Sequence, residues 1–318
     1  MVEDGPLRVV FFGTPAFAVP TLDALLAFRH PVVAVVTQPD KPRGRGQKTS
    51  DAPVKARALA AGIPVLQPQT LKDPSFMSAF SALNPDIGVV AAYGKILSDA
   101  VLAVPRLGMI NVHASLLPRH RGAAPVHRAI IAGDTVTGVT IMRIVKALDA
   151  GPMMAEVRRG IGPDETSEEV ERDLSRLGAE LLVATLNAIA QGSARETPQD
   201  DGAATHAARL TKEDGVIHWD WSAQRIHDLI RGLHPWPHAY TFLGGSRLIL
   251  RRSLPSPEHA SGAPGTVAVA SGDRLRIATG SGGLDILQLQ AEGKRPMTTR
   301  EFLAGHRLQP GARFTSAP

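Results

Sequence analysis

Two polar side chains, Asn111 and His113, stand two residues apart in the stretch INVHASLLPRHRGAAP, residues 110–125. Ile110 and Val112 are β-forming residues, so this stretch predicts the end of a buried strand. Alternate residues of a strand point to one face, which places the amide and the imidazole side by side. In open α/β sheets, ligands bind at the carboxyl ends of the strands. The pair is therefore a candidate for catalysis, although such residues at strand ends are more often structural.

A third candidate is Asp149, which follows the strand predicted at residues 138–145. If that strand neighbours the first, its C-terminal turn is expected beside that of the first, so that Asp149 converges with Asn111 and His113. The alternative is that Asp149, which precedes Ala-Gly, only forms a turn.

The elements that position these residues follow a regular pattern. Val- and Ile-rich runs at 7–12, 32–37, 86–92 and 108–113 are separated by helical patterns such as those at 20–29 and 53–61. This pattern predicts βαβ units and a Rossmann-like α/β fold with a mostly parallel sheet. The first turn, GTPAFAVP, has one glycine and no G-x-G-x-x-G fingerprint, so NAD is not expected as a cofactor.

The rest of the chain predicts a second, smaller domain. Thr166 or Ser167 opens a capping box, followed by one helix that runs to Gly192. Beyond a polar segment at 193–208, one helical pattern at 222–233 precedes short β-like runs broken by glycine turns, which favour an OB-like β-barrel. The motif HPWP at 234–237 predicts a helix stop with a buried Trp. We expect an α/β domain at 1–192, a linker at 193–208 and a C-terminal β-barrel domain at 209–318.

Composition narrows the function classes. The chain of 318 residues has no cysteine, which excludes disulfides and thiolate chemistry. Residues 205–318 hold 14 Lys and Arg against 9 Asp and Glu, which accounts for the whole net charge of +5. This excess favours an anionic partner such as RNA, and the alternative is an ordinary solvated surface. Gly13, Pro15 and Pro20 interrupt the apolar N-terminal stretch, so a cytoplasmic protein without a membrane segment is expected.

The motifs together resemble a known family. The pattern N-x-H-x-S-L-L-P, followed by R-x-R-G-A-A-P and then L-D-x-G, is similar to the signature of the folate-dependent formyltransferases. The resemblance is strongest to the members that formylate methionyl-tRNA. It covers nearly the full chain, through TQPD (37–40), KPRGRGQK (41–48), PVKARA (53–58), VVAAYGKIL (89–97) and the segment from TKEDGVIHWDW to HPWPHAY (211–240).

This resemblance implies a reaction and roles for the three polar residues. The family moves a formyl group from N10 of 10-formyltetrahydrofolate to an amine, here the α-amino group of initiator methionyl-tRNA, for translation initiation. Asn111 and His113 would donate hydrogen bonds to the developing oxyanion. Asp149 would pair with His113, keep it cationic and hold the water that accepts the proton lost by the amine. No metal is implied.

Two further segments take roles from the resemblance. The rigid apolar turn SLLP would form a wall of the folate site, and its alternative is a simple strand-to-loop turn. The basic glycine loop at 41–48 would contact tRNA phosphates, and its alternative is a solvated loop. The implied folate-binding residues are Ser115, Leu116, Leu117 and Pro118, and the implied tRNA-binding residues are Lys41, Arg43, Arg45 and Lys48.

The sequence departs from the family at His120 and His127, where other members carry Trp and Gln. Neither has a neighbour at metal-ligand spacing, so we expect altered packing or acceptor contacts and no metal site. A monomer is expected. Two rival functions stay open: a formyltransferase that acts on an amino-sugar nucleotide, and an RNA-binding protein with an inactive α/β domain.

Overall fold

A computed structural model describes residues 5–40, 42–43, 48–49, 51–256, 258 and 260–318; of 42–43 and 48–49 only the backbone is described. The chain forms two compact units. The first contains the residues up to 125 together with 137–159 and 171–207, and the second contains 126–136, 160–170 and 208–318. Within the described residues, no helix is long and apolar enough to cross a membrane.

The first 207 residues alternate strands and helices. The strands are β1 (Val9–Gly13), β2 (Val32–Val36), β3 (Pro42–Arg43), β4 (Lys48–Thr49), β5 (Val65–Leu66), β6 (Ile87–Ala91), β7 (Met109–His113), β8 (Arg121–Gly122), β9 (Val136–Arg143), β10 (Met153–Gly160) and β11 (His206–Ala207). The helices are α1 (Val19–Leu26), α2 (Pro53–Ala60), α3 (Pro74–Ala82), α4 (Asp99–Leu102), α5 (Pro125–Ile131) and α6 (Ser167–Ala190).

Seven of these strands form one sheet in the order β10-β9-β7-β6-β1-β2-β5. The pairs from β7 to β5 are parallel. β1 and β6 are buried at every residue, as expected for Val- and Ile-rich strands covered on both faces. On one side, Phe12 packs edge-to-face against Phe80 and Tyr93. The mostly parallel α/β sheet predicted from the sequence is confirmed.

The direction of one strand was not anticipated. β9 pairs with β7 in the antiparallel sense, with Asn111 opposite Met142 and His113 opposite Thr140. The C-terminal end of β9 therefore lies beside Ile110, at the start of β7 rather than at its end. The expectation that both strands end at the same edge is wrong, because an alternating apolar pattern carries no information on strand direction.

α6 begins with the predicted capping box. The Glu169 carboxylate accepts the Thr166 N–H at 2.8 Å, and the Thr166 hydroxyl accepts the Glu169 N–H at 3.4 Å. These two bonds satisfy N–H groups that a helix start leaves unpaired.

The second unit contains a curled antiparallel sheet, ordered β14-β15-β16-β13-β12-β18, with β17 paired to β16. Val267 N–H donates to Ala312 and Phe314 N–H donates to Gly265, each at 2.8 Å, so the two ends of the sheet are linked. Trp236 is 52% exposed, so the prediction of a buried Trp is wrong. The elements are α7 (Ala223–Gly232), β12 (Ala239–Leu243), β13 (Ser246–Ser256), β14 (Val267–Ser271), β15 (Arg274–Ala278), β16 (Gly283–Ala291), β17 (Met297–Thr298), α8 (Thr299–Gly305) and β18 (Phe314–Thr315).

Candidate active site

Asn111 and His113 lie at the carboxyl end of β7, on the same face of the strand by its alternation. β7 runs between β6 and β9, so its backbone is held on both sides. Asn111 is partly exposed, and within the described part of the chain its amide has no hydrogen-bond partner. An amide N–H in this position is available to a bound molecule.

The two nitrogens of the His113 imidazole have different surroundings. Nε2 lies 3.0 Å from the main-chain oxygen of His120. A carbonyl oxygen only accepts, so Nε2 carries the hydrogen of this bond. Nδ1 lies 3.8 Å from Oδ2 of Asp149, which is an ion-pair distance and longer than a hydrogen bond. The side chains of His113 and Asp149 are 6% and 14% exposed, so this contact is shielded from solvent.

Asp149 reaches His113 by a route that differs from the predicted one. β9 ends at Arg143, and the turn that follows carries Asp149 back toward the end of β7. Asp149 has a φ of +47°, in the left-handed region that is uncommon for residues other than glycine. Its Oδ2 accepts a hydrogen bond of 2.9 Å from Gly122 N–H. This bond orients the carboxylate beside the imidazole.

The SLLP turn is fixed largely by hydrogen bonds within the chain. The Thr140 hydroxyl donates to Ser115 O at 2.7 Å and accepts from Leu117 N–H at 3.1 Å. Pro118 O accepts from Thr205 N–H, and Leu116 O accepts from Arg119 N–H. Ser115 and Leu117 are buried, whereas Leu116 and Pro118 are partly exposed. Few main-chain groups of the turn therefore remain for a ligand, and the apolar side chains of Leu116 and Pro118 are its accessible part.

The basic loop falls mostly outside the described structure. β3 and β4 pair so that Arg43 lies opposite Lys48 in the backbone register. The side chains of these two residues, and the whole of Lys41 and Arg45, lie outside the described residues.

Sequence reasoning missed the residues that hold the site together. They are Thr140, Gly122, Gln199 and Thr205, whose contacts with the site span 23 to 85 residues along the chain. Thr205 and Gln199 lie in the segment interpreted as a linker. No periodicity marks that segment, because single polar side chains and a two-residue strand, β11, make its contacts.

The two departures from the family pattern have separate roles. The main chain of His120 accepts from His113, and its own N–H donates to the Thr205 hydroxyl at 2.8 Å. His127 lies on α5, where burial lowers the pKa of its imidazole to about 4. Among the described residues, no group of three or more His, Asp or Glu side chains could hold a metal ion.

Two family models match the chain. A model described as formyl transferase matches residues 7–186, and one described as formyl transferase, C-terminal domain matches residues 209–307. Among curated proteins, the methionyl-tRNA formyltransferase of Sorangium cellulosum is 45% identical, with 96% of this chain and 98% of the relative covered. The methionyl-tRNA formyltransferase of Geobacter metallireducens is 46% identical, with 97% and 98% covered.

Solved structures share the fold at low sequence identity. A sugar 3N-formyl transferase crystallised with dTDP and 5-N-formyl-THF has a TM-score of 0.68 at 17% identity, with 91% of this chain and 99% of that chain covered. An N-formyltransferase from Helicobacter canadensis has a TM-score of 0.67 at 16% identity, with 88% and 98% covered. Two family models match the chain, and relatives 45–46% identical align over nearly its whole length. This chain therefore belongs to the formyl transferase family.

Proposed function

We propose that this chain transfers the formyl group of 10-formyltetrahydrofolate to the α-amino group of initiator methionyl-tRNA, the modification that precedes translation initiation. The observation that carries the proposal is the shielded contact of His113 with Asp149, on the strand that also presents Asn111. Relatives 45–46% identical over almost the whole chain are named for the same activity.

The three polar residues fit this transfer. The amine attacks the formyl carbon, negative charge develops on the formyl oxygen, and the bond from that carbon to N10 breaks. Donors aimed at such an oxygen stabilise it more than they stabilise the planar carbonyl. The Asn111 amide N–H is one donor. The other is Nδ1–H of the cationic His113, because Nε2–H is already bonded to His120.

Asp149 has two tasks in this proposal. It is the counter-ion of His113, and it holds the water that takes the proton lost by the amine. The folate nitrogen that leaves gains a proton, so the transfer neither consumes nor releases one overall. An α-amino group has a pKa of about 7.7 to 8.0, so a useful fraction is already neutral near pH 7.

The folate donor is placed against the turn of Ser115, Leu116, Leu117 and Pro118. The partly exposed Leu116 and Pro118 offer an apolar surface for a flat ring. Leu148, the neighbour of Asp149 in the chain, is 55% exposed, so its apolar side chain is accessible beside the site. Leu148 is therefore a further candidate for contact with the donor.

Two features support tRNA as the acceptor: positively charged residues, and cationic and aromatic side chains on one face of the second unit. Lys41, Arg43, Arg45 and Lys48 are proposed phosphate contacts. On the solvent-facing side of β12 and β13, Arg247 lies 3.8 Å above the Tyr240 ring, and Phe242 follows on the same face. Aromatic and guanidinium groups interleaved on a sheet are a common surface for RNA. We therefore place RNA contact on this face.

Removing one cation from this face should weaken tRNA binding without changing the chemistry. Arg247→Ala is expected to raise KM for methionyl-tRNA about 3- to 10-fold and to reduce the salt dependence of binding by about one ion, with kcat and KM for folate unchanged. Arg274→Ala, which removes an exposed Arg at the start of β15, is the matched control. Equal effects of both changes on KM would mean that net charge, and not this face, binds the RNA.

An assay with three different acceptors tests the proposed function. The protein and 10-formyltetrahydrofolate are supplied with methionyl-tRNA, free methionine or an amino-sugar nucleotide, and formylation is measured for each. Transfer to methionyl-tRNA alone is expected. Transfer only to the amino sugar would favour the first rival, whose solved examples share this fold at 16–17% identity. No transfer to any acceptor would favour an inactive RNA-binding protein.

The remaining expectations follow from this assignment. We propose that residues 1–192 form the catalytic domain, that residues 193–208 are the linker between the two domains, and that residues 209–318 form the tRNA-binding domain. The enzyme acts as a monomer in the cytoplasm, where aminoacyl-tRNA is supplied, and sedimentation would test the monomer.

A further inference from the structure

The segment interpreted as a linker carries a side chain that holds the Asp149 turn. The Gln199 amide nitrogen donates to Asp149 O at 2.8 Å and to Gly151 O at 2.7 Å. An amide has two N–H donors, so both are used on this one turn. The Gln199 carbonyl oxygen accepts from Arg121 Nε at 3.0 Å. One side chain therefore joins the Asp149 turn to the strand β8.

Asp149 needs such support because of its backbone conformation. Its φ of +47° lies where an L side chain is disfavoured, and residues persist there only when surrounding contacts hold them. The two bonds from Gln199 hold the carbonyl of Asp149 itself and that of Gly151, two residues further along the turn. In the third contact, Gly122 N–H donates a hydrogen bond to the Asp149 carboxylate itself.

The same segment also fixes the partner of His113. β11 pairs with β8 in parallel, with His206 opposite Arg121. Arg121 N–H donates to Thr205 O, and Ala123 N–H donates to Ala207 O, each at 2.9 Å. The His120 carbonyl that accepts from His113 is therefore held by the same segment that holds the Asp149 turn. Residues 199–207 thus position both residues of the His113–Asp149 contact, His113 through His120 and Asp149 through Gln199.

We propose that Gln199 is a positioning residue for formyl transfer, which acts by holding Asp149 at its distance from His113. This inference rests on the proposed function for its kinetic readout. Gln199 itself need not touch either substrate, since both its N–H donors and its carbonyl oxygen have partners within the chain.

Gln199→Met keeps the length of the side chain and removes its donors. We expect kcat to fall about 10- to 100-fold, because a shift of about 1 Å in a catalytic group has effects of that size, with KM for both substrates within about twofold. Gln191→Met is the matched control, since Gln191 is exposed and directly follows α6. An unchanged kcat in Gln199→Met would overturn the proposal.

A double-mutant cycle separates positioning from general stability. In an Asp149→Ala background, Gln199→Met should lower kcat by less than about threefold, because the residue it positions is absent. The same fractional loss in both backgrounds would show that Gln199 acts independently of Asp149 and would overturn the proposal.

Hydrogen exchange gives a readout that does not depend on the substrate. Gln199→Met should raise deuterium uptake in the peptide 144–152 and leave β1 as in the parent protein, whereas Gln191→Met should change neither. Unchanged uptake at 144–152 would overturn the positioning role whatever the acceptor is. Failure of the parent protein to formylate methionyl-tRNA would refute only the proposed function.

Discussion

At the scale of single residues, the site combines three groups with different electrostatic roles. The Asn111 amide is a neutral donor, the His113 imidazole is able to carry positive charge, and Asp149 supplies negative charge 3.8 Å from Nδ1. The imidazole donates from Nε2 to the His120 carbonyl, which leaves Nδ1 for chemistry, and the carboxylate accepts from Gly122 N–H. The residue types and spacing, together with the family resemblance, suggested this set from the sequence, and the structure brings Asp149 beside His113.

The clearest prediction at this scale concerns Asn111. Asn111→Ala should lower the rate of a single turnover about 100- to 1000-fold, since loss of one oxyanion donor has effects of this size. Asn111→Asp keeps the shape and replaces the donor with an acceptor, so its rate should be no higher. Folate binding, measured by fluorescence quenching, should change little in either variant. A near-normal rate in Asn111→Ala would remove this amide from the mechanism.

At the scale of elements, the pairing of β8 with β11 supports the site. Gly122 has a φ of +123°, and a Cβ at this position would lie 2.6 Å from the Ala207 carbonyl oxygen. Glycine is therefore required for two reasons, its backbone conformation and its close approach to β11. The Gly122 N–H also donates to the Asp149 carboxylate. A change in the pairing of β8 with β11 would therefore move the donor that orients Asp149.

Gly122→Ala tests this coupling. The free energy of unfolding should fall by about 1 to 3 kcal/mol, from backbone strain and the loss of strand pairing. kcat should fall at least about 10-fold in protein that is still folded, because the added Cβ displaces the N–H that donates to Asp149. Gly305→Ala is the matched control, with open space around the added Cβ, and its stability should stay within about 0.5 kcal/mol. Loss of stability with full kcat would contradict the coupling.

Sequence patterns predicted individual elements better than their relations. The buried runs of β1 and β6 and the capping box of α6 were each identifiable from local residues. The direction of β9 was not, because alternation of apolar residues is the same in either direction. Gln199 was missed because its hydrogen bonds depend on residues about 50 positions away, and no local pattern records them.

At the scale of the whole molecule, charge separates the two proposed substrates. The five excess positive charges all fall in residues 205–318, and the earlier part of the chain is balanced. An excess of this kind attracts a polyanion such as tRNA, while the folate site needs apolar surface. The partly exposed Arg247, Tyr240 and Phe242 on β12 and β13 provide a cationic and aromatic surface suited to the polyanion.

Buried and half-buried histidines make the stability of the chain sensitive to acid. Burial, with the nearby charges of Arg128 and Arg251, lowers the pKa of His127 and of His238 to about 4 each. Burial also lowers the pKa of His30, whose Nδ1 accepts the Leu7 N–H. The unfolded chain binds these protons near pH 6.5 and the folded chain does not, so stability is full above pH 6.5 and falls as the pH decreases toward 4.

Thermal unfolding at pH 7.5 and pH 5.5 tests this dependence. Each of His127 and His238 should contribute about 1 kcal/mol to the loss at pH 5.5, once solvent screening is allowed for, so Tm should fall by about 5 °C. His127→Gln and His238→Gln should each reduce the difference in Tm between the two pH values. His218→Gln, at an exposed position, should keep the parent difference. If Tm is the same at both pH values, or if neither Gln variant reduces the difference, these two imidazoles do not control acid stability.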